Sequence, residues 1–166
     1  MTLTANIDLA TCGPTQLFLA LPPEVRLAAA KALYAHDWGD APTRREADVA
    51  IMVGMRFRET AVRQLPTEKR SNYLARSIRP TESLASSLLL ALHLEHRRPI
   101  LAAFMDALGI PHVDGLIKDG HETKPPTKTA LAKAVKTLKA SFPEADVDVY
   151  LASLYVLDRE TWANLF

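Results

Sequence analysis

The chain has 166 residues, 48% of them hydrophobic and 23% charged, and a formal net charge of +1. That composition is that of a folded globular protein, and a balance so near zero provides no global pull toward nucleic acid or an anionic membrane. The single cysteine, Cys12, excludes an internal disulfide and a thiolate zinc cluster.

Residues 1–25 contain no Lys or Arg and so lack the basic start of a secretory leader. Apolar runs such as "VAIMVGM" (49–55) fall far short of the roughly 18 residues needed to cross a bilayer. The expectation is a cytoplasmic chain without membrane contact.

In chain order, the periodicity is helical nearly everywhere, and no alternating strand pattern with hairpin turns stands out. "LPPE" (21–24) places Pro23 and Glu24 in a first helical turn, where a fixed φ and a negative charge both suit the helix dipole. "PT" (42–43) precedes a long segment reaching Gln64, and Thr67 and Thr81 are candidate N-caps for the two helices that follow. Gly109, with Pro111 just beyond, reads as a C-cap. The predicted helices are 14–20, 22–37, 43–64, 67–78, 81–97, 99–108, 127–141 and 143–157, with a last turn at 159–165.

The expected fold class is therefore all-α. It is a single array of about eight helices whose short connections favour antiparallel neighbours. Residues 1–109 form an N-terminal block, 110–126 an exposed loop rich in Gly, Pro and polar residues, and 127–166 a C-terminal helical hairpin. The roughly 40 residues after the loop are too few to fold alone without a metal or disulfide, so one domain, 1–166, is expected. Within the hairpin, Lys128, Lys133, Lys136 and Lys139 share one face of a helix without acids, and Glu144, Asp146 and Asp148 of the next segment are placed to offset them.

The stretch "ALHLEHRRP" (91–99) is the first with chemistry in it. On a helical wheel His93 falls on the polar side of 82–97, and His96 is one turn away, so a shared cation is conceivable. Glu95 points elsewhere, Arg97 and Arg98 would repel a cation, and neither Glu-x-x-His nor HExxH occurs. His93 and His96 are thus weak metal candidates beside a helix terminus whose cations suit its negative end. The loop residues His112, Asp114, Asp119, His121 and Glu122 have metal-ligand chemistry but no recognised spacing. "GLIKDGHE" (115–122) continues His-Glu where a phosphate loop needs Lys-Ser/Thr. Neither a G-x-S-x-G nor an S-x-x-K motif is present, and Cys12 has no identifiable base. No cofactor is implied.

The most informative signal is a charge asymmetry. Residues 44–98 contain eleven Lys and Arg against six acids, while the segments on either side are each net −2. Nearly all of these cations are arginines, the better residue for bidentate carboxylate or phosphate contacts. Arg56, Arg63, Arg70, Arg76, Arg79, Arg97 and Arg98 are the candidate binding residues. Glu59 and Arg63 form an i,i+4 pair that cancels part of the charge. Tyr73 alone among the obvious aromatics interleaves with the arginines, which weakens a nucleic-acid reading. "IMVGMRF" (51–57) reads as core, with Gly54 allowing a close approach, and Trp162, Leu165 and Phe166 either dock or meet a second subunit.

The expectation is a non-enzymatic helical module that binds an anionic or protein partner through its Arg-rich middle. The alternatives are an enzyme using His93/His96 or the His112–His121 loop, and a nucleic-acid binder.

Overall fold

A computed structural model describes residues 8–35, 41–118 and 124–166. The protein is essentially all-α, as expected: nine helices and one two-stranded hairpin among the described residues. The helices are α1 (Pro14–Ala20), α2 (Pro23–Ala35), α3 (Ala41–Met55), α4 (Glu59–Gln64), α5 (Thr67–Arg76), α6 (Glu82–His96), α7 (Arg98–Leu108), α8 (Lys128–Ser141) and α9 (Glu144–Leu157). The hairpin pairs β1 (His112–Val113) antiparallel with β2 (Leu116–Ile117). No helix among the described residues is long and apolar enough to cross a membrane.

The chain divides into two compact units, Gly13–His96 and Arg97–Phe166, the latter with the segment ending at Cys12. In Gly13–His96, α6 is buried almost all round, with Leu84, Leu88, Leu89 and Leu92 under 2% exposed. It is enclosed by α1, α2 and α3, and α2 also packs along α5. Small residues permit this: Ala29, Ala30 and Ala32 let α2 approach its neighbours closely. The caps follow the sequence in part. Thr81 Oγ1 accepts from the Leu84 N–H at 3.2 Å, whereas Thr67 is the first helical residue of α5 and Pro66 precedes it as the cap.

The predicted helix 43–64 is broken. Arg56 adopts φ 54°. The Phe57 N–H donates to the Met52 carbonyl at 2.9 Å and the Arg56 N–H to Val53 at 3.4 Å. This is the two-bond closure that ends helices at a left-handed residue, here an arginine where glycine is usual. Phe57 then meets Tyr73 edge-on, with ring centroids 5.5 Å apart. At Gly54, two residues earlier, a Cβ would meet the tip of the Ile78 side chain.

In Arg97–Phe166, α7 buries Ile100, Leu101, Phe104 and Met105 on one face, and α8 buries Leu131, Ala134 and Leu138. Phe104 lies edge-on to Tyr150 at 5.6 Å and 5.6 Å from Trp162, so Trp162 is docked and buried. Phe166 is exposed and touches Tyr155. Gly109 caps α7 in the left-handed region as expected. The long loop 110–126 lies within this unit and contains the hairpin; its residues 119–123 are outside the described chain. Lys139 Nζ bridges Glu144 at 2.8 Å and Asp148 at 2.9 Å, so α9 offsets part of the α8 charge. Arg159 donates to the carbonyls of Leu9 and Cys12, which ties the first described residues to this unit.

Candidate functional site

A cleft of about 740 Å³ opens in the Gly13–His96 unit. Its lining comes from α3 (Arg44, Arg45, Asp48, Val49, Met52), α4 (Glu59, Val62, Arg63) and α5 (Arg70). The break at Arg56 places α4 beside α3 instead of beyond it, so the strained turn creates the cleft. Arg44 and Arg45 stand in the first turns of α3, near the positive end of a helix, where cations are unfavourable to folding.

Asp48 organises the floor. Tyr34 donates its hydroxyl to Asp48 Oδ1 at 3.0 Å, and Arg70 Nη1 donates to both Asp48 oxygens, at 3.3 and 3.2 Å. The Arg70 guanidinium also lies over the Tyr34 ring, 4.9 Å from its centroid. Burial, reinforced by the Asp48 charge, pushes the Tyr34 hydroxyl far above the usual phenol range, so it stays a donor. On the opposite wall Arg63 pairs with Glu59 at 2.5 Å, both side chains being mostly exposed. Arg45 is exposed and has no ion-pair partner among the described residues. Among the described residues, four guanidinium groups thus share the cleft with two carboxylates. The net positive charge of these groups stands over Met52 and Val62, with half-exposed Val49 beside them.

Of the arginines singled out from the sequence, Arg63 and Arg70 meet in this cleft. Arg56, Arg76 and Arg79 are exposed on the same unit but do not line it. Arg97 and Arg98 belong to the other unit, where Arg97 binds Asp146 at 2.7 Å and Arg98 binds Asp114 at 2.8 Å. Arg44, Arg45, Asp48 and Tyr34 were not among the selected residues. The signal that would have found the first two is their position at the wrong end of a helix dipole.

The expected polar face for His93 is corrected. His93 is 4% exposed while His96 is exposed, because α6 is packed on several sides and its polar stripe is covered. The two histidines therefore stand in different environments. In the loop, His112 Nε2 lies 3.0 Å from Asp106 and its Nδ1 accepts the Gly115 N–H at 3.0 Å, which occupies both ring nitrogens in bracing the hairpin. Asp114 pairs with Arg98, and Asp119, His121 and Glu122 lie outside the described residues. Cys12 is buried. Among the described residues no three His, Cys, Asp or Glu side chains are grouped to hold a metal ion.

No protein-family model, curated protein or solved structure matches this chain.

Proposed function

We propose that the Gly13–His96 unit is a binding module that receives an acidic segment of another protein in the cleft between α3, α4 and α5. The observation behind this reading is the convergence of Arg44, Arg45, Arg63 and Arg70 on one cleft whose lining, among the described residues, holds two carboxylates. Guanidinium groups favour planar, bidentate partners, and Arg45 has no ion-pair partner among the described residues. A protein partner is favoured over nucleic acid because Tyr34 lies buried beneath Arg70 and offers no stacking face.

The test is an NMR titration of the whole chain with a polyglutamate peptide and, separately, a single-stranded oligonucleotide. The peptide should shift backbone amides of Arg45, Asp48, Val49 and Arg63, and added salt should weaken it only moderately. Shifts confined to Lys128–Lys139, or none, would overturn the reading. Oligonucleotide binding at the cleft with a steep salt dependence would make it a nucleic-acid site.

A further inference from the structure

We infer that the occupant of this cleft is an amphipathic helix of the partner protein, with its apolar stripe seated on Val49 and Met52 of the cleft and running onto Val53 beside it, outside the lining, and its carboxylates facing Arg45 and Arg63. The inference rests on the anion-binding reading above and specifies its partner.

The α3 helix carries two apolar stripes where a surface helix needs one. Ala47 and Ile51, one turn apart, are 0% exposed and supply the stripe that packs on the unit's core. Val49 and Val53, also one turn apart, are 45% and 69% exposed. They are two residues out of phase with the buried pair, which turns them about 200° around the axis, to the opposite side. No residue of the Gly13–His96 unit covers them enough to hide them, and Val53 is the most exposed large hydrophobic side chain among the described residues.

The outward stripe is continuous with charge. Arg45 precedes Val49 by one turn, so Arg45, Val49 and Val53 line one ridge, and Met52 and Val62 lead from it down to the cleft floor. Arg63 lines the same cleft from α4. A ligand that matches the ridge has apolar groups one helical turn apart and a carboxylate one further turn along. A helix with two apolar residues at i and i+4 and an acid beyond them meets that pattern, with about 6 Å between the anchors. An extended peptide gains affinity by adding to a sheet edge, and α3, α4 and α5 present helix surfaces with no such edge. The chemistry therefore fits helix-in-groove recognition.

A display library of helical peptides selected against the full chain tests this. The selected sequences should share Leu, Ile or Phe at i and i+4 with Asp or Glu one turn away. Binding should fall about tenfold in Val53→Asp, the effect of losing one buried valine contact, and by a similar factor in Arg45→Glu. Val53 is so exposed that its replacement leaves the fold intact, which circular dichroism will check. Acidic sequences without an apolar stripe, indifferent to Val53→Asp but lost in Arg45→Glu, would overturn the helix and leave the anion site standing. Binders insensitive to both variants would overturn both readings. Val53-dependent capture by anionic vesicles without peptide binding would reassign the face to a membrane.

Discussion

Arg97 and Asp146 form an ion pair with one-sided burial: the arginine side chain is 8% exposed, the aspartate 43%, and Nη2 lies 2.7 Å from Oδ1. The second terminal nitrogen, Nη1, is buried without a hydrogen-bond partner among the described residues. Burial lowers the guanidinium pKa from its ordinary value, and Asp146 acts against that shift. Asp146→Asn leaves a buried cation uncompensated and should cost about 2 kcal/mol, below the range for fully buried pairs because the carboxylate is partly solvated. Arg97→Met removes charge and desolvation together and should cost less. Urea midpoints compare the two, and the account fails if Asp146→Asn is the milder change.

The left-handed arginine at the end of α3 gives a prediction of opposite sign. A side chain at φ 54° carries a steric penalty that glycine escapes. Arg56→Gly should stabilise the chain by about 1 kcal/mol after the greater flexibility of unfolded glycine is counted. Arg56→Val should destabilise it. A rise in thermal midpoint for the glycine variant and a fall for valine are the expected readings.

Two glycines with positive φ should respond unequally to alanine. Gly109, at φ 68°, has nothing near the position of a Cβ, so Gly109→Ala should cost about 1 kcal/mol of backbone strain alone. Gly115, at φ 83°, would place a Cβ 2.5 Å from that of Leu101 and 3.1 Å from the Ala102 nitrogen. Gly115→Ala should therefore cost about 3 kcal/mol or displace the hairpin from α7. Hydrogen exchange at the Gly115 amide, which donates to His112, reports the displacement directly.

The Lys139 bracket sets a pH window. Hydrogen bonds to Asp148 and Glu144 raise the Lys139 pKa, so its contribution is complete below the ordinary lysine value and disappears as pH rises through the raised one. The hydrogen bond from Lys139 lowers the Glu144 pKa, so that contribution is present above the ordinary carboxylate value and is lost as pH falls through the lowered one. Lys139→Met should lower the thermal midpoint slightly at neutral pH, with the gap to the parent closing at both extremes. A gap independent of pH would show that the pairing is not its source.

At the cleft, Asp48→Asn keeps an acceptor for Tyr34 but removes a carboxylate from the lining. Affinity for an acidic peptide should rise by on the order of 1 kcal/mol, roughly fivefold. Fluorescence anisotropy with the peptide reads this, and a weakened complex would mean that Asp48 positions Arg70 more than it repels the ligand.

Much of the helical framework was legible because its signals are local. Pro23 opens α2, Thr81 caps α6, and Gly109 ends α7 in the left-handed region. Each needs only a few neighbouring residues to act. The break after Met55 was not legible, since the residue that turns the chain is an arginine and Gly54 stands within the helix, two positions before it. His93 was misread for a related reason. A helical wheel places a residue on a face, but whether that face meets water depends on how many helices enclose it, and α6 is enclosed by three.

The sequence by itself determined an all-α protein, most of its helix starts and stops, and an arginine-rich middle, because periodicity, caps and charge are properties of short stretches. Only the tertiary structure decided which arginines work together. Arg63 and Arg70 share a cleft with Arg44 and Arg45, while Arg97, equally basic on paper, is buried against Asp146. A charge acquires its role from the groups within a few ångströms and from its exclusion from water, and both are set by packing between segments far apart in the chain.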